Sequence, residues 1–329
     1  IGTQSLINSG IPNPVSALRN GTIGWTLAGQ TLQHGQSRRF APTSEEHRHV
    51  AAQDARRVAD KALVGRASLA DLQRWQQEFT RSTYLFDVRT PEEFEAGHLP
   101  GARSTPGGQL VQETDHFASV RGARLVLVDD DGVRANMSAS WLSQLGCEVH
   151  VLDDAQPAHF SAQGAWQAPV PAPQQAEEIN PETLAEWLTH GDSVVLDFTS
   201  SANYVKRHIP GAWWALRGQL RETLAHVPQA ERYVLTCGSS QLARLAVADV
   251  EALTGKPVFL LKGGTASWIV AQLPLEDGET HLASPRIDRY RRPYEGTDSP
   301  REAMQAYLDW EYGLVAQLAR DATHGFFVI

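Results

Sequence analysis

YLFDVRTPEEFEAGHLPGAR, residues Tyr84 to Arg103, and VVLDFTSSANYVKRHIPGAW, residues Val194 to Trp213, align without a gap. Asp87 falls on Asp197, His98 on His208, Pro100 on Pro210 and Gly101 on Gly211, at an offset of 110 residues, the size of one domain. Each copy continues alike. An apolar run of strand type follows, Leu125–Val128 in the first copy and Tyr233–Thr236 in the second. Then come a short polar loop and an amphipathic stretch, ANMSASWLSQLG ending on Gly146 and ARLAVADVEALTG ending on Gly255, each with a glycine where a helix C-cap requires one. Further apolar runs follow, Val149–Leu152 and Val258–Leu261. Strands alternating with helices at this spacing predict an α/β fold of tandem domains, each a central parallel sheet flanked by helices. Sites in such sheets lie at the carboxyl ends of strands, where the polar loop of each copy falls.

A third, partial copy stands at the start of the chain. Ser16–Trp25 (SALRNGTIGW) resembles Phe259–Trp268 (FLLKGGTASW), with Gly21 on Gly264 and Trp25 on Trp268. Residues 1–42 therefore read as the last third of a further domain: a helix end before Gly10, a strand around Val15–Leu18, and the Trp25 turn. The spacing from Cys237 to Trp268 would place that domain's loop about six residues before Ile1. The expectation is that an N-terminal portion of the same protein exists, present as a separate chain. Residues 43–65 open with a Thr-x-x-Glu capping pattern and read as a linker helix. One domain is expected over 66–168, a proline-rich spacer over 169–176, a second domain over 177–283, and a tail with a helical stretch, Pro300–Ala322, over 284–329.

The net charge of −9 makes nucleic acid and anionic membranes poor partners. The apolar runs are too short to span a bilayer. The two cysteines, Cys147 and Cys237, form neither a CxxC pair nor a disulfide framework, so no metal and no cofactor is expected, and the cytoplasm is the default location.

The repeated D-x(10)-H-[LI]-P-G-A pattern, followed by a strand, a loop and a late Gly-x-x-x-Trp, resembles the rhodanese-like sulfurtransferase family in its multi-domain tandem form. The resemblance covers residues 68–168 and 177–275, and 1–30 in part. It implies a cysteine at the start of the loop after a central strand, which takes a sulfane sulfur from a donor as a persulfide and passes it to a nucleophile. It also implies an enzyme with a small anionic donor, thiosulfate or 3-mercaptopyruvate, and cyanide or a thiol as acceptor. Cys237 stands at that place.

The residues after Thr236 suit the chemistry. Backbone N–H groups of Gly238, Ser239, Ser240, Gln241 and Leu242 can curl round a sulfur anion, and Arg244 adds positive potential. Such settings favour a thiolate, the reactive form of a cysteine. The loop residues carry no cation, which is more like mercaptopyruvate than thiosulfate enzymes. Thr199 stands where the first copy has Arg89, the usual residue of the family. Lys206 and Arg207, just before His208, border the pocket mouth on one reading and are solvated on the other. Asp197 and His208 read as framework, and Cys147 as core.

In the first copy Asp129 takes the place of Cys237. A carboxylate cannot carry sulfur but can accept the loop amides itself, so this copy is expected to be a scaffold. Two rivals remain: a non-enzymatic binding module, and a cysteine phosphatase, whose C-x(5)-R loop differs from the six residues between Cys237 and Arg244.

Overall fold

The structure, a computed structural model, describes residues 1–35, 37–38, 41, 43–169, 175–289 and 299–329. Most of the proline-rich spacer, and the tail between 290 and 298, lie outside the described residues. Two compact units emerge, one holding Ile1–Ala168 with the C-terminal helix and tail, the other the second sheet.

The first unit begins with helices α1 (Gly2–Ser9), α2 (Gly21–Leu27) and α3 (Glu45–Lys61). Then follow β1 (Gly65–Ala67), α4 (Leu69–Gln76), β2 (Thr83–Asp87), α5 (Pro91–Ala96) and β3 (Arg103–Ser104). The unit continues through α6 (Gly107–Gln112), α7 (Thr114–Phe117), β4 (Arg124–Val128), α8 (Arg134–Gln144) and β5 (Glu148–Leu152). The second unit repeats the plan with β6 (Glu177–Ile179), α9 (Pro181–His190), β7 (Ser193–Asp197), α10 (Ser201–Lys206), β8 (Trp213–Trp214) and α11 (Leu220–Leu224). It closes with β9 (Arg232–Thr236), α12 (Gln241–Arg244), α13 (Val247–Thr254), β10 (Val258–Leu261) and α14 (Gly264–Val270), and the chain ends on α15 (Pro300–Asp321).

Both sheets are parallel throughout, in the orders β1-β5-β4-β2-β3 and β6-β10-β9-β7-β8. The central strands read as unbroken apolar runs because helices cover both faces. Local signals fix the helix starts. Ser68 and Asp71 close a capping box on α4, as do Thr90 and Glu93 on α5, where Pro91 supplies a preset φ. The repeated His-x-Pro-Gly turn is framework. His98 stacks on Phe94 and His208 on Tyr204, and each ring nitrogen Nδ1 bonds the carbonyl of that same aromatic residue at 2.8 Å. The turn thereby fixes the end of α5 or α10 relative to the following strand.

Four expectations change in the structure. The amphipathic stretch before Gly255 is two helices, because Leu245 and Ala246 turn back to Leu242 and Ala243 in tighter three-residue bonds. The cap of α3 is Ser44, which accepts from His47, and not Thr43. That helix is no spacer: Ala55, Val58 and Ala59 are buried, and it packs on α8. Val15–Leu18 is not a strand, since its hydrogen bonds need neighbouring strands that these residues do not have.

The corner around Trp25 does keep the geometry of its repeat. The indole Nε1 donates to Thr31 O, six residues on, as Trp268 Nε1 does to Pro274 O. Asn20 and Gly21 share the left-handed backbone of Gly263 and Gly264. Trp25 is nevertheless 40% exposed, against 3% for Trp268. The α2 corner is partly covered by α15, through Arg301 to the carbonyls of Thr26 and Leu27 and Tyr312 to Asn20. The apolar end of the chain returns to the first sheet, where Phe327 N bonds Gln144 O and Ile329 joins the core around Leu142. Among the described residues no helix is long and apolar enough to cross a membrane.

Candidate active site

Cys237 follows the last residue of β9, the central strand of the second sheet, and is 3% exposed. Gly238 and Ser239 turn outward, and Ser240 takes a left-handed backbone (φ 65°) that starts α12. This costly conformation for a side-chain-bearing residue is held because Ser240 Oγ donates to Leu261 O at 2.6 Å. From the other side the start of α14 clamps the loop: Thr265 N donates to Cys237 O at 2.9 Å and Ala266 N to Gly238 O at 3.0 Å. Gly264 makes this approach possible. A Cβ there would stand 2.3 Å from Cys237 O, 2.7 Å from Ser240 N and 2.8 Å from Gly238 O, all backbone atoms. The late Gly-x-x-x-Trp motif thus carries the glycine that lets a helix press against the loop and the tryptophan that anchors that helix in the core.

The two loops can be superposed residue by residue in sequence, at an offset of 108 from Asp129 to Cys237. Gly132 (φ 70°) corresponds to Ser240 (φ 65°), and both Ala135 and Ala243 are fully buried. In the first loop the Asp129 carboxylate accepts from Gly132 N at 3.0 Å and from Ala135 N at 2.8 Å, while Asp131 accepts from Val133 N at 2.8 Å. The nest is filled by the chain itself. Burial pushes the Asp129 carboxyl up to about 7, with its neighbour Asp131 adding to the rise and the two amides opposing it. In the second loop the amides of Gly238 through Ala243 have no protein acceptor among the described residues. Gly238, Ser239, Gln241 and Leu242 are exposed, and Ser240 is buried.

A cleft of about 370 Å³ opens beside Gly238, lined by Asp197, Thr199, Asn203, Lys206, Arg207, Thr265, Ala266 and Ile269. It lies at the carboxyl ends of β7 and β9, where parallel sheets place their sites. Of the residues named from the sequence, Gly238 of the loop lines the cleft, as do Lys206 and Arg207; Cys237 is buried and is not among the lining residues. Arg244 does not reach the cleft: its guanidinium pairs with Glu178 on β6. Sequence reading missed Asn203 and the clamp residues Thr265 and Ala266, although the Gly-x-x-x-Trp motif was their signal. Cys147 sits against the first core, half-buried, and burial pushes its thiol up, away from the reactive thiolate.

Asp197 shows what the loss of arginine at 199 does. In the first unit Arg89 forks onto Asp87 with contacts of 2.7 and 2.9 Å. In the second, Asp197 Oδ1 accepts only from Thr199 N at 2.8 Å and Oδ2 has no partner. With its residue 1% exposed, burial pushes this carboxyl up to about 7. A folded-state value above the unfolded one means that the native state binds the proton more tightly. Stability is then greatest at low pH and is lost as pH rises from the ordinary 3.8 through about 7. Asp197→Asn is expected to remove about 1 kcal/mol per pH unit of that slope. Chemical unfolding at pH 5 and pH 8 checks it: a wild-type pH dependence that the variant fully retains would refute the assignment.

Against known proteins, the Rhodanese-like domain family model matches residues 68–156 and 180–271. A crystal structure of thiosulfate sulfurtransferase from Pseudomonas aeruginosa is 71% identical, with a TM-score of 0.93 over 100% of this chain. This chain spans 62% of that chain's length. An uncharacterized protein of Bacillus subtilis (strain 168), YqhL, is 37% identical over 67 residues, which are 20% of this chain and 52% of that protein.

Proposed function

This chain belongs to the rhodanese-like family, and we propose that its second domain is a sulfurtransferase in which Cys237 is the sulfur carrier. The observation that carries this reading is the pair of loops. The backbone positions whose amides hold the Asp129 carboxylate in the first domain follow Cys237 at the same spacing in the second, and among the described residues those amides have no protein acceptor. The Cys237 thiolate attacks the outer sulfur of a donor such as thiosulfate, the S–S bond breaks, and sulfite leaves with the bonding pair. The amides of Ser240 and Ala243, matching those that hold Asp129, stabilise the persulfide's terminal sulfur and the charge that moves through it. An acceptor, cyanide or a thiol, then attacks that sulfur and releases the thiolate. The similar protein from Pseudomonas aeruginosa is named for thiosulfate as its donor. We assign the activity to the cytoplasm, where the thiol stays reduced.

The first domain is proposed to be a scaffold, because its nest is occupied and no sulfur can be carried there. A cysteine phosphatase is disfavoured, since the arginine that such a loop would use is tied to Glu178. Turnover of thiosulfate and of 3-mercaptopyruvate with cyanide, alongside aryl phosphate, tests the reading. Thiocyanate formation without phosphate release is expected; the reverse would refute it.

A further inference from the structure

The clefts of the two domains share five corresponding positions, and the charges at those positions differ: the acids of the first, Glu93 and Asp130, are paired with Arg134, while the second carries cations. In the first, the cleft beside Asp130 is lined by Arg89, Glu93, Ala96 and Gly97. The corresponding positions in the second are Thr199, Asn203, Lys206 and Arg207, with Gly238 in place of Asp130. The sulfurless domain thus lines its cleft with two acids and one arginine. That arginine is spent internally: Arg89 is locked on Asp87, and its guanidinium also donates to Gly97 O at 2.6 Å and lies over the Phe160 ring. The cysteine domain has lost both acids and the arginine, and two cations have appeared at the end of α10, where its counterpart carries alanine and glycine.

Neither the Lys206 nor the Arg207 side chain has an ion-pair or hydrogen-bond partner among the described residues, although most of the described arginines do. Both are exposed, and both line the cleft that opens beside Gly238. Their backbone is held firmly, because the buried His208 that follows is stacked on Tyr204 and bonded through its N–H to Glu276 O. Among the described residues the one acid lining the cleft is Asp197, which is buried.

Resting on the sulfurtransferase reading of this site, we propose that Lys206 and Arg207 are its donor-recognition residues and that they select a doubly charged donor with an –SO3 end, of which thiosulfate is the probe, over a singly charged keto acid. The two cations grip the –SO3 end at the cleft mouth and point the outer sulfur at the loop. The cations absent from the loop residues 238–242 are supplied from α10, which reverses the preference for 3-mercaptopyruvate that the neutral loop suggested. Asn203 and Thr265 offer uncharged donors beside them.

The test compares Lys206→Gln, Arg207→Gln and the double variant with the wild type, using thiosulfate and 3-mercaptopyruvate with cyanide. Each charge removed is expected to raise the KM for thiosulfate roughly ten-fold. The double variant should rise about 100-fold, with kcat little changed and a clearly smaller effect on 3-mercaptopyruvate. Lys206→Arg should behave as wild type. A thiosulfate KM within two-fold of wild type in the double variant, at ~equal melting temperature, would overturn the proposal. So would equal losses for both donors. If the wild type forms no thiocyanate at all, the sulfurtransferase reading fails, and the anion site is decided separately by calorimetry of thiosulfate with the Cys237→Ser chain. Binding that the double variant weakens about 100-fold upholds the site, and binding that is absent or unchanged removes it.

Discussion

Cys237→Ser is expected to lose all sulfur transfer, with thiocyanate formation falling to the uncatalysed rate, while Cys147→Ser keeps wild-type turnover. The size of the effect follows from the chemistry. A hydroxyl can neither form a persulfide nor present a comparable nucleophile at neutral pH, and no other group near the cleft replaces it. The first domain cannot compensate, since Asp129 stands where its sulfur would be. The serine side chain is nearly the same size, so the fold should persist, with a stability loss of about 1–3 kcal/mol from the hydroxyl placed in the apolar cluster that holds Cys237. Steady-state assays with thiosulfate on both variants check the expectation. Residual turnover in Cys237→Ser that vanishes in Cys147→Ser would move the activity to the other cysteine.

Gly264→Ala is expected to damage both stability and activity. Its backbone is left-handed (φ 66°), which an alanine adopts at a cost of about 1 kcal/mol. The larger part comes from the new Cβ at 2.3 Å from Cys237 O, with two more backbone atoms inside 3.0 Å. Backbone on both sides has to move, and the bonds from Thr265 N and Ala266 N that clamp the loop are the ones that break. A total loss of roughly 3 kcal/mol is expected, with turnover falling on the order of 100-fold as the loop amides lose their aim at the sulfur. Gly21→Ala is the control. Gly21 has the same sequence context and a similar φ of 55°, but a Cβ there meets nothing within 4 Å. It should cost only the conformational ~1 kcal/mol and leave turnover intact. Equal effects of the two substitutions would show that backbone conformation, and not contact with the loop, is what Gly264 provides.

Much of this arrangement is legible in the sequence because it is encoded locally and twice. The D-x(10)-H-x-P-G-A repeat sets two domains in register, the apolar runs become the strands read from them, and the alignment of Asp129 with Cys237 separates the loops before any coordinates. What is not legible is non-local. Arg244 looks like part of the loop, yet its partner Glu178 lies on a strand 66 residues earlier that only the folded sheet brings alongside. Lys206 and Arg207 read from the sequence as a charge pair before a turn, which is usually just solvated; only the folded sheet places both on the cleft beside Gly238. Val15–Leu18 has the composition of a strand, but a strand exists only in a ladder, and these residues have none. Gly264 belongs to a visible motif, while the reason for a glycine there is a backbone contact that no spacing reveals.

Whether Cys237 carries the sulfur is decided by peptide mass spectrometry after brief exposure of the chain to thiosulfate. The peptide holding Cys237 is expected to gain the mass of one sulfur atom, cyanide to remove it, and the Cys147 peptide to stay unchanged. A Cys237 peptide that stays unmodified while thiocyanate is being produced would contradict that role for Cys237.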